Sequence, residues 1–447
     1  MQEKLQNIAE KVLELACLKG DLQTEVFMLD AQELSLEVSS KEVENMKISQ
    51  ERGLGLRVIK ESRLGYAYTS DLSKLALESV VDKAIYNSRE TQPDSCWELP
   101  KRVNEYQRMS IYDEQIFKVP VEEKIKLAQS VEEAARNYDA RVAIIEKAVY
   151  QEAQYHVTLL SSLGLSGHYQ AAYCGSYAAV VGRENDDNQT GFGMQFGLKY
   201  SEIDPKSIGE EAAMKAVRML GAKTIPSANI PIVFDPYIGT KFLGVLQIAL
   251  SGEAVLKGKS FYRGKEGMTV ASPLITIIDD GTMPNKLGST PFDGEGIPTT
   301  KTVLVENGRL IGYLHNLYTA GKSGVTSTGN SVRGSYKSTP EVGTTNLYLQ
   351  AGETNPLDIV KEIKRGLYVT DIMGMHTANP VSGDFSLGAA GLLIENGELT
   401  HAVKGVAIAG NIKEMLESID AVGNDLTFFI AKGAPTIRVK AMSVSGA

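Results

Sequence analysis

Residues 382–416 read SGDFSLGAAGLLIENGELTHAVKGVAIAGNIKEML. The run 391–395 (GLLIE) is apolar and strand-like. It meets Asn396-Gly397 and returns through 398–402 (ELTHA). Asn-Gly between two such runs is a strong signal for a type I′ hairpin, because both central residues must take positive φ. The same device recurs upstream, where Val303-Leu304-Val305 returns through Asn307-Gly308 to Leu310-Ile311. Short β segments punctuated by glycine turns fill the chain from about Pro226 onward. They predict a large antiparallel β-rich C-terminal domain over 226–447 with a few helices. It opens with a strand at 232–234, then Asp235-Pro236 and a helix running to Leu250.

Working outward, the first 220 residues have a different texture. A helix over about 2–18 places Ile8, Val12, Leu13 and Leu15 near one face, and Gly20 stops it. Strands are predicted at 24–29, 34–38 and 53–59, with a hairpin return through SRLGYAYTSDLS. Ser73 caps a second helix with Leu75, Val80, Val81 and Ala84 inward. This forms an α/β unit over 1–90. Residues 90–119 are polar and irregular and read as a linker over the surface. Pro120 opens a helix with Glu122 and Glu123 in its first turn. Strand alternation follows from Val142 to Ala179, with a turn at Gly164 and Gly167, a polar tip at 184–193, and a helix at about 205–220. This is a middle α/β unit over 115–222. The predicted class is α+β: two α/β units, then the β-rich domain.

Composition excludes several functions. Apolar residues make up 43 % and charged residues 23 %, and the formal net charge is −9. No Lys/Arg run exceeds a pair, so the stripe needed to neutralise nucleic-acid phosphates is missing. No stretch of about 18 apolar residues occurs, so no membrane span is expected. The N-terminus lacks the apolar core of a signal peptide. Cys17, Cys96 and Cys174 are few, odd in number and scattered, as in a reducing compartment. A cytoplasmic location is expected.

Familiar catalytic motifs are absent. HExxH and GxSxG do not occur, and no two of His156, His168, His315, His376 and His401 lie within ten residues. Gly252 to Ser260 (GEAVLKGKS) imitates a phosphate loop, but its glycines are one residue too far apart and a helix precedes it. Cys174 lies in a strand pattern and reads as core. The most informative loop is GMHTANPVSGDFSLG, from Gly374 to Gly388, rich in turn formers and hydrogen-bonding groups. His376, Asn379, Ser382 and Asp384 are its substrate-binding candidates. A plain structural corner is the equal alternative.

At this point the C-terminal third resembles the signature of the PmbA/TldD (TldE/TldD) family. The early GLGLRVIKESRLGYAYTSDLS, the Val233-Phe234-Asp235-Pro236 start of the third domain and the closing GAPTIRVKAMSVSG extend the resemblance over nearly the whole chain. Members were once described as modulators of DNA gyrase and are now regarded as peptidase subunits. The resemblance implies two branches. The catalytic TldD branch carries HExxxH on a helix of the third domain, with a late cysteine as a further zinc ligand. The matching hexad here is Gly252-Glu253-Ala254-Val255-Leu256-Lys257. Gly252 and Lys257 replace both histidines, and no cysteine follows Cys174. Glycine offers no donor and a protonated ammonium cannot bind Zn²⁺. The departure places the chain on the PmbA (TldE) branch, with no catalytic residue, metal or cofactor of its own. Glu253 is either a relic of the general base or, preferably, half of a helix pair with Lys257.

The resemblance therefore implies a non-catalytic subunit that pairs with a zinc-bearing TldD-like chain and helps enclose a chamber for unfolded peptides. Extended peptides would be held there by main-chain hydrogen bonds. Two alternatives stand beside it. One is a stand-alone homodimeric protein that binds peptides or regulates a partner. The other is an independent hydrolase with a site around His315, His376 and Asp384.

Overall fold

The computed structural model describes residues 2–446. Its first half contains α1 (Gln2–Cys17), β1 (Gln23–Ser39), β2 (Glu42–Lys60), β3 (Arg63–Thr69), α2 (Lys74–Glu90), the short α3 (Gln115–Lys118), α4 (Val121–Tyr138), β4 (Val142–Ser161), β5 (Ser166–Glu184), β6 (Asp187–Gly197) and α5 (Pro205–Val217). All six strands lie in one antiparallel sheet of order β3-β2-β1-β4-β5-β6. The pairing of β1 with β4 thus welds the first and middle α/β units into a single surface. Period-two alternation gives that surface two faces. Val26, Met28, Leu34, Leu36 and Val38 of β1 pack under the helices. Phe27, Leu29 and Ala31 point the other way, toward Phe292 and Tyr336 of the C-terminal domain.

The second half contains β7 (Ala228–Phe234), α6 (Pro236–Ala249), α7 (Gly252–Leu256), β8 (Ile277–Asp280), β9 (Lys301–Glu306), β10 (Arg309–Leu310), α8 (Leu317–Ser323), β11 (Ser331–Val332), β12 (Glu341–Val342) and β13 (Leu347–Leu349). There follow α9 (Pro356–Lys361), β14 (Arg365–Met373), β15 (Asp384–Glu395), β16 (Glu398–Asn411), α10 (Ile412–Glu417), β17 (Ile419–Val422), β18 (Thr427–Phe429), β19 (Lys432–Ala434) and β20 (Ile437–Ser445). One sheet runs β16-β15-β14-β7-β20-β17, and a further pairing of β16 with β20 closes it on itself. The other runs β10-β9-β8-β13-β19-β18. α6 touches strands of both sheets and is apolar on nearly every side, as a helix enclosed between layers must be. Asp235 caps it by accepting the Tyr237 N–H at 2.9 Å, and Pro236 occupies the first turn, where no intrahelical donor is needed. The α+β class holds, and both Asn-Gly hairpins form with positive φ at both central residues.

Several local expectations are corrected. The C-terminal domain is not wholly antiparallel, because β7 pairs parallel with β14 and β13 with β19, each across long intervening chain that permits a crossover. The strands predicted at 24–29 and 34–38 are one continuous β1, since Asp30 in the polar interruption is neutralised by Arg52 at 2.7 Å. The buried line of α1 is Leu5, Ala9, Val12 and Ala16. Ile8, Leu13 and Leu15 are only partly covered. Leu75 is exposed, while Val80, Val81 and Ala84 are buried as expected beneath the Ser73 cap. Gly167 is not in the turn but within β5, where a Cβ would meet the Phe292 ring at 2.9 Å. The 184–193 tip narrows to the two-residue turn Asn185-Asp186, between the end of β5 at Glu184 and the start of β6 at Asp187. The 90–119 segment is irregular and largely exposed, as expected, but it is anchored at its start. Trp97 stacks on Tyr318 at 4.0 Å, and Asp94 binds Lys322 at 2.6 Å, both on α8.

Candidate functional site

α6 ends at Ala249 and the chain restarts after Ser251 as the single-turn α7, which carries the hexad. Beside it the Gly252 N–H donates to the Leu314 carbonyl at 2.8 Å, and the Leu314 N–H returns a bond to the Leu250 carbonyl at 2.9 Å. This exchange places the 313–316 segment, and with it His315, against α7. Asn316 then starts α8 with a capping box: its side chain accepts from the Thr319 N–H at 2.9 Å. In front of α7 lies a cavity of about 570 Å³, walled by Gln247, Ser251, Glu253, Lys257, Lys259 and Thr344.

The chemistry of this cleft is that of an ion pair. Lys257 Nζ lies 2.5 Å from Glu253 Oε1. The bond from Glu253 raises the Lys257 ammonium above its ordinary value. His315 is buried, and Nδ1 lies 3.2 Å from Thr319 Oγ1. Burial lowers its pKa, leaving a neutral ring. Gly252 is pressed against that ring: a Cβ at 252 would sit 2.4 Å from His315 Nδ1 and Cε1. A side chain at 252 thus has neither a donor nor room. Ser260, from the phosphate-loop lookalike, is tied into the core by a 2.5 Å bond to the Ala249 carbonyl.

The loop candidates lie elsewhere and satisfy one another. Asn379 Oδ1 accepts from the N–H groups of Val381 at 2.8 Å and Ser382 at 3.2 Å. Ser382 Oγ accepts from the Asp384 N–H at 3.3 Å, and Asp384 Oδ1 accepts from Asn411 Nδ2 at 2.7 Å. Hydrogen bonding to the carboxylate from the Ser382 side chain, foremost, and from that of Asn411 holds the Asp384 carboxyl below its ordinary range. The geometry is that of a self-closed corner, with His376 exposed on a 3-10 turn beside it. His168 and His401 are also exposed. His315 hydrogen-bonds to Thr319 and Asp384 to Asn411, so the histidine–aspartate hydrolase arrangement does not assemble. Cys174 is core, and burial pushes its thiol up to about 12.

Two features were missed by sequence reasoning. The first is the packing of His315 behind Gly252, which isolated letters could not show. The second is a buried ionic network joining the sheet to the C-terminal domain. Arg57 lies 2.6 Å from both Glu25 and Glu295, and Arg333 also binds Glu25. Glu25 and Arg57, single charges inside otherwise apolar stretches of β1 and β2, were the available signal for half of it; Glu295 and Arg333 lie outside the strands.

A chain of α/β units followed by a β-rich third domain, with the short α7 set beside a cleft, is of the metallopeptidase-family class. Models of the PmbA/TldA metallopeptidase domain 1, central domain and C-terminal domain match residues 24–88, 114–220 and 227–446, and the chain belongs to this family. It is 29 % identical to the metalloprotease PmbA of Escherichia coli O157:H7, over 94 % of this chain and 92 % of that one. A Thermotoga maritima structure, provisionally described as a modulator of a DNA gyrase, matches with a TM-score of 0.90 at 30 % identity, covering 99 % of this chain and 100 % of the other. TldE of Thermococcus kodakarensis matches with a TM-score of 0.90 at 25 % identity, over 98 % and 100 %. The family name implies a metal ion. The residues at the hexad do not fit one, since Gly252 has no donor, Lys257 is bound to Glu253, and His315 occupies the space a ligand at 252 would need. Among the described residues no group of three or more His, Cys, Asp or Glu is placed to hold a metal. No helix among them is long and apolar enough to cross a membrane.

Proposed function

We propose that this chain is the non-catalytic subunit of a TldD/TldE-type metallopeptidase of the cytoplasm. It pairs with a zinc-bearing TldD-like chain and handles unfolded peptides. The observation that carries this reading is the contact between Gly252 and His315, which fills the position of a metal ligand with the side chain of another residue. Amide hydrolysis needs an activated nucleophile and stabilisation of the oxyanion, and the one carboxylate of the α7 cleft, Glu253, is paired with Lys257. The subunit's contribution is then structural: to complete an enclosure that admits extended chains and excludes folded ones.

The test is a peptide-cleavage assay with this chain alone, a TldD-type chain alone, and both together, accompanied by elemental analysis of the purified chain. The expected result is no stoichiometric zinc, no cleavage alone, and cleavage in the mixture. One zinc per chain retained on dialysis, or robust cleavage by this chain alone, would overturn the reading.

A further inference from the structure

A second cavity, of about 420 Å³, lies between the helix-free face of the N-terminal sheet and the C-terminal domain. That volume is within the usual range for a small-ligand pocket. Its wall is set by strand register. Tyr155 is paired with Ala171, Val157 with Tyr169, Ala153 with Tyr173, and Gly175 with Phe196, so the aromatic residues project from one face. Tyr155 and Tyr173 have ring centroids 6.2 Å apart, and so do Tyr173 and Phe196. Phe196 lies directly over the backbone of Gly175, where a Cβ would come within 2.3 Å of the ring. Phe27 of β1 closes the floor, under the guanidinium of Arg333.

Two further observations bear on the occupant. The lining has no net charge to offer: Arg333 is engaged by Glu25 and by the Gly294 carbonyl at 2.7 Å. Burial pushes the Tyr169 phenol up to about 12, so it remains an uncharged hydroxyl. A charged guest would lose its hydration without compensation. On the C-terminal side the cavity is bounded by Ile430, at the turn between β18 and β19. Ile430 has φ of 59°, a left-handed conformation that is costly for a β-branched residue, and its side chain is half exposed. Backbone strain of this kind persists where the surroundings impose it, and it gathers at ligand clamps.

We propose that this cavity receives one uncharged aromatic side chain of an extended peptide, with Ile430 as the apolar lip. The inference rests on the peptide-handling reading and adds to it a preference that main-chain hydrogen bonding alone would not give. Offset and edge-on ring packing against Tyr155, Tyr173 and Phe196 provides the attraction. The tyrosine hydroxyls supply hydrogen bonds to the peptide backbone at the rim.

The experiment uses the full chain and calorimetric titration with acetylated, amidated pentapeptides Ala-Ala-Xaa-Ala-Ala, where Xaa is Phe, Ala or Glu, and with N-acetylphenylalanine amide. The Phe peptide is expected to bind at least about tenfold more tightly than the Ala and Glu peptides. It should also bind more tightly than the single-residue amide. Ala171→Phe fills the cavity from its wall and should abolish the preference. Ile430→Gly relieves the strain, so it should raise Tm while weakening the Phe peptide. Equal binding of all three pentapeptides would overturn the proposal. So would an intact preference in either variant once its circular dichroism matches the parent. Equal affinity for the amide and the Phe peptide would make the guest a free small molecule and overturn the peptide assignment. Selective binding without cleavage in the two-chain mixture would sink the subunit reading alone. Cleavage in the mixture without aromatic selectivity would sink the cavity alone.

Discussion

The α-carbon of Gly252 lies against the imidazole of His315, so closely that one added methyl group would stand 2.4 Å from two ring atoms. Ordinarily Gly to Ala inside a helix gains about 1 kcal/mol. Here the methyl must displace a buried ring fixed by Thr319, and overpacking of that kind costs about 1–3 kcal/mol. Gly252→Ala is therefore expected to lower stability in chemical unfolding, and His315→Ala in the same chain to recover part of the loss. A Gly252→Ala chain more stable than the parent would show that the contact is slack.

The Glu253–Lys257 pair leads to a different expectation. Both side chains are substantially exposed, at 39 % and 59 %, and the glutamate precedes the lysine by four residues, the favourable order. Such a pair contributes at most about 0.5 kcal/mol. Glu253→Gln should leave Tm nearly unchanged and leave cleavage by the two-chain mixture intact. The same substitution in the motif of the zinc-bearing partner should abolish cleavage. Loss of activity on changing Glu253 here would assign it a part in the chemistry.

How far the sequence reveals this structure depends on what kind of residue carries the information. Asn307-Gly308 and Asn396-Gly397 announce their hairpins because turn geometry is a local property. Ser73 and Asp235 announce helix starts for the same reason. The join of β1 to β4 is not legible, since over 100 residues separate the strands and nothing local marks the pairing. The continuity of β1 through Asp30 is hidden as well, because the cancelling charge arrives from Arg52 on the next strand. At the site, the absence of zinc ligands at Gly252 and Lys257 can be read directly. That His315 fills the vacated space cannot, because only the fold brings 252 and 315 together. The 374–388 loop is legible as a place rich in hydrogen-bonding groups. That Asn379, Ser382 and Asp384 bond within it and to Asn411 is not legible, because Asn411 arrives from the next strand.

A pH dependence follows from Asp279. Its carboxylate accepts bonds from the Thr345 N–H at 2.8 Å, the Thr345 hydroxyl at 2.7 Å and Asn330 Nδ2 at 2.6 Å. Burial outweighs those bonds and raises it from 3.8 to about 6. The folded state therefore binds more protons than the unfolded state between these values, and this group's contribution to stability falls as pH rises through the window. Relative to Asp279→Asn, the parent should be more stable at pH 4 than at pH 7, with the change complete a little above pH 6. Chemical unfolding of both proteins across pH 4–8 measures it. A difference that grows in the parent's favour as pH rises would contradict the assignment.

The Arg57 network makes the largest stability prediction. Arg57, Glu25 and Glu295 have side chains no more than 3 % exposed. Burial by itself would lower the guanidinium pKa, but Glu25 and Glu295 outweigh it and hold the group above its ordinary value. Glu295 also accepts the Leu317 N–H at 2.9 Å, at the first turn of α8, two residues after His315. One arginine thus connects the N-terminal sheet to the helix that backs the α7 cleft. Replacing it by methionine keeps the bulk and leaves Glu295 without its cation, and Glu25 with Arg333 alone. Removing one partner from a buried ionic cluster costs about 3–5 kcal/mol, because the remaining charge has no solvent to turn to. Arg57→Met should therefore unfold at much lower denaturant, whereas Lys118→Ala, which breaks an exposed pair with Glu114, should change stability by less than about 1 kcal/mol. Adding Glu295→Gln to Arg57→Met removes the stranded charge and should restore part of the loss. If Arg57→Met behaves like the surface control, the network is not what holds the sheet to the C-terminal domain.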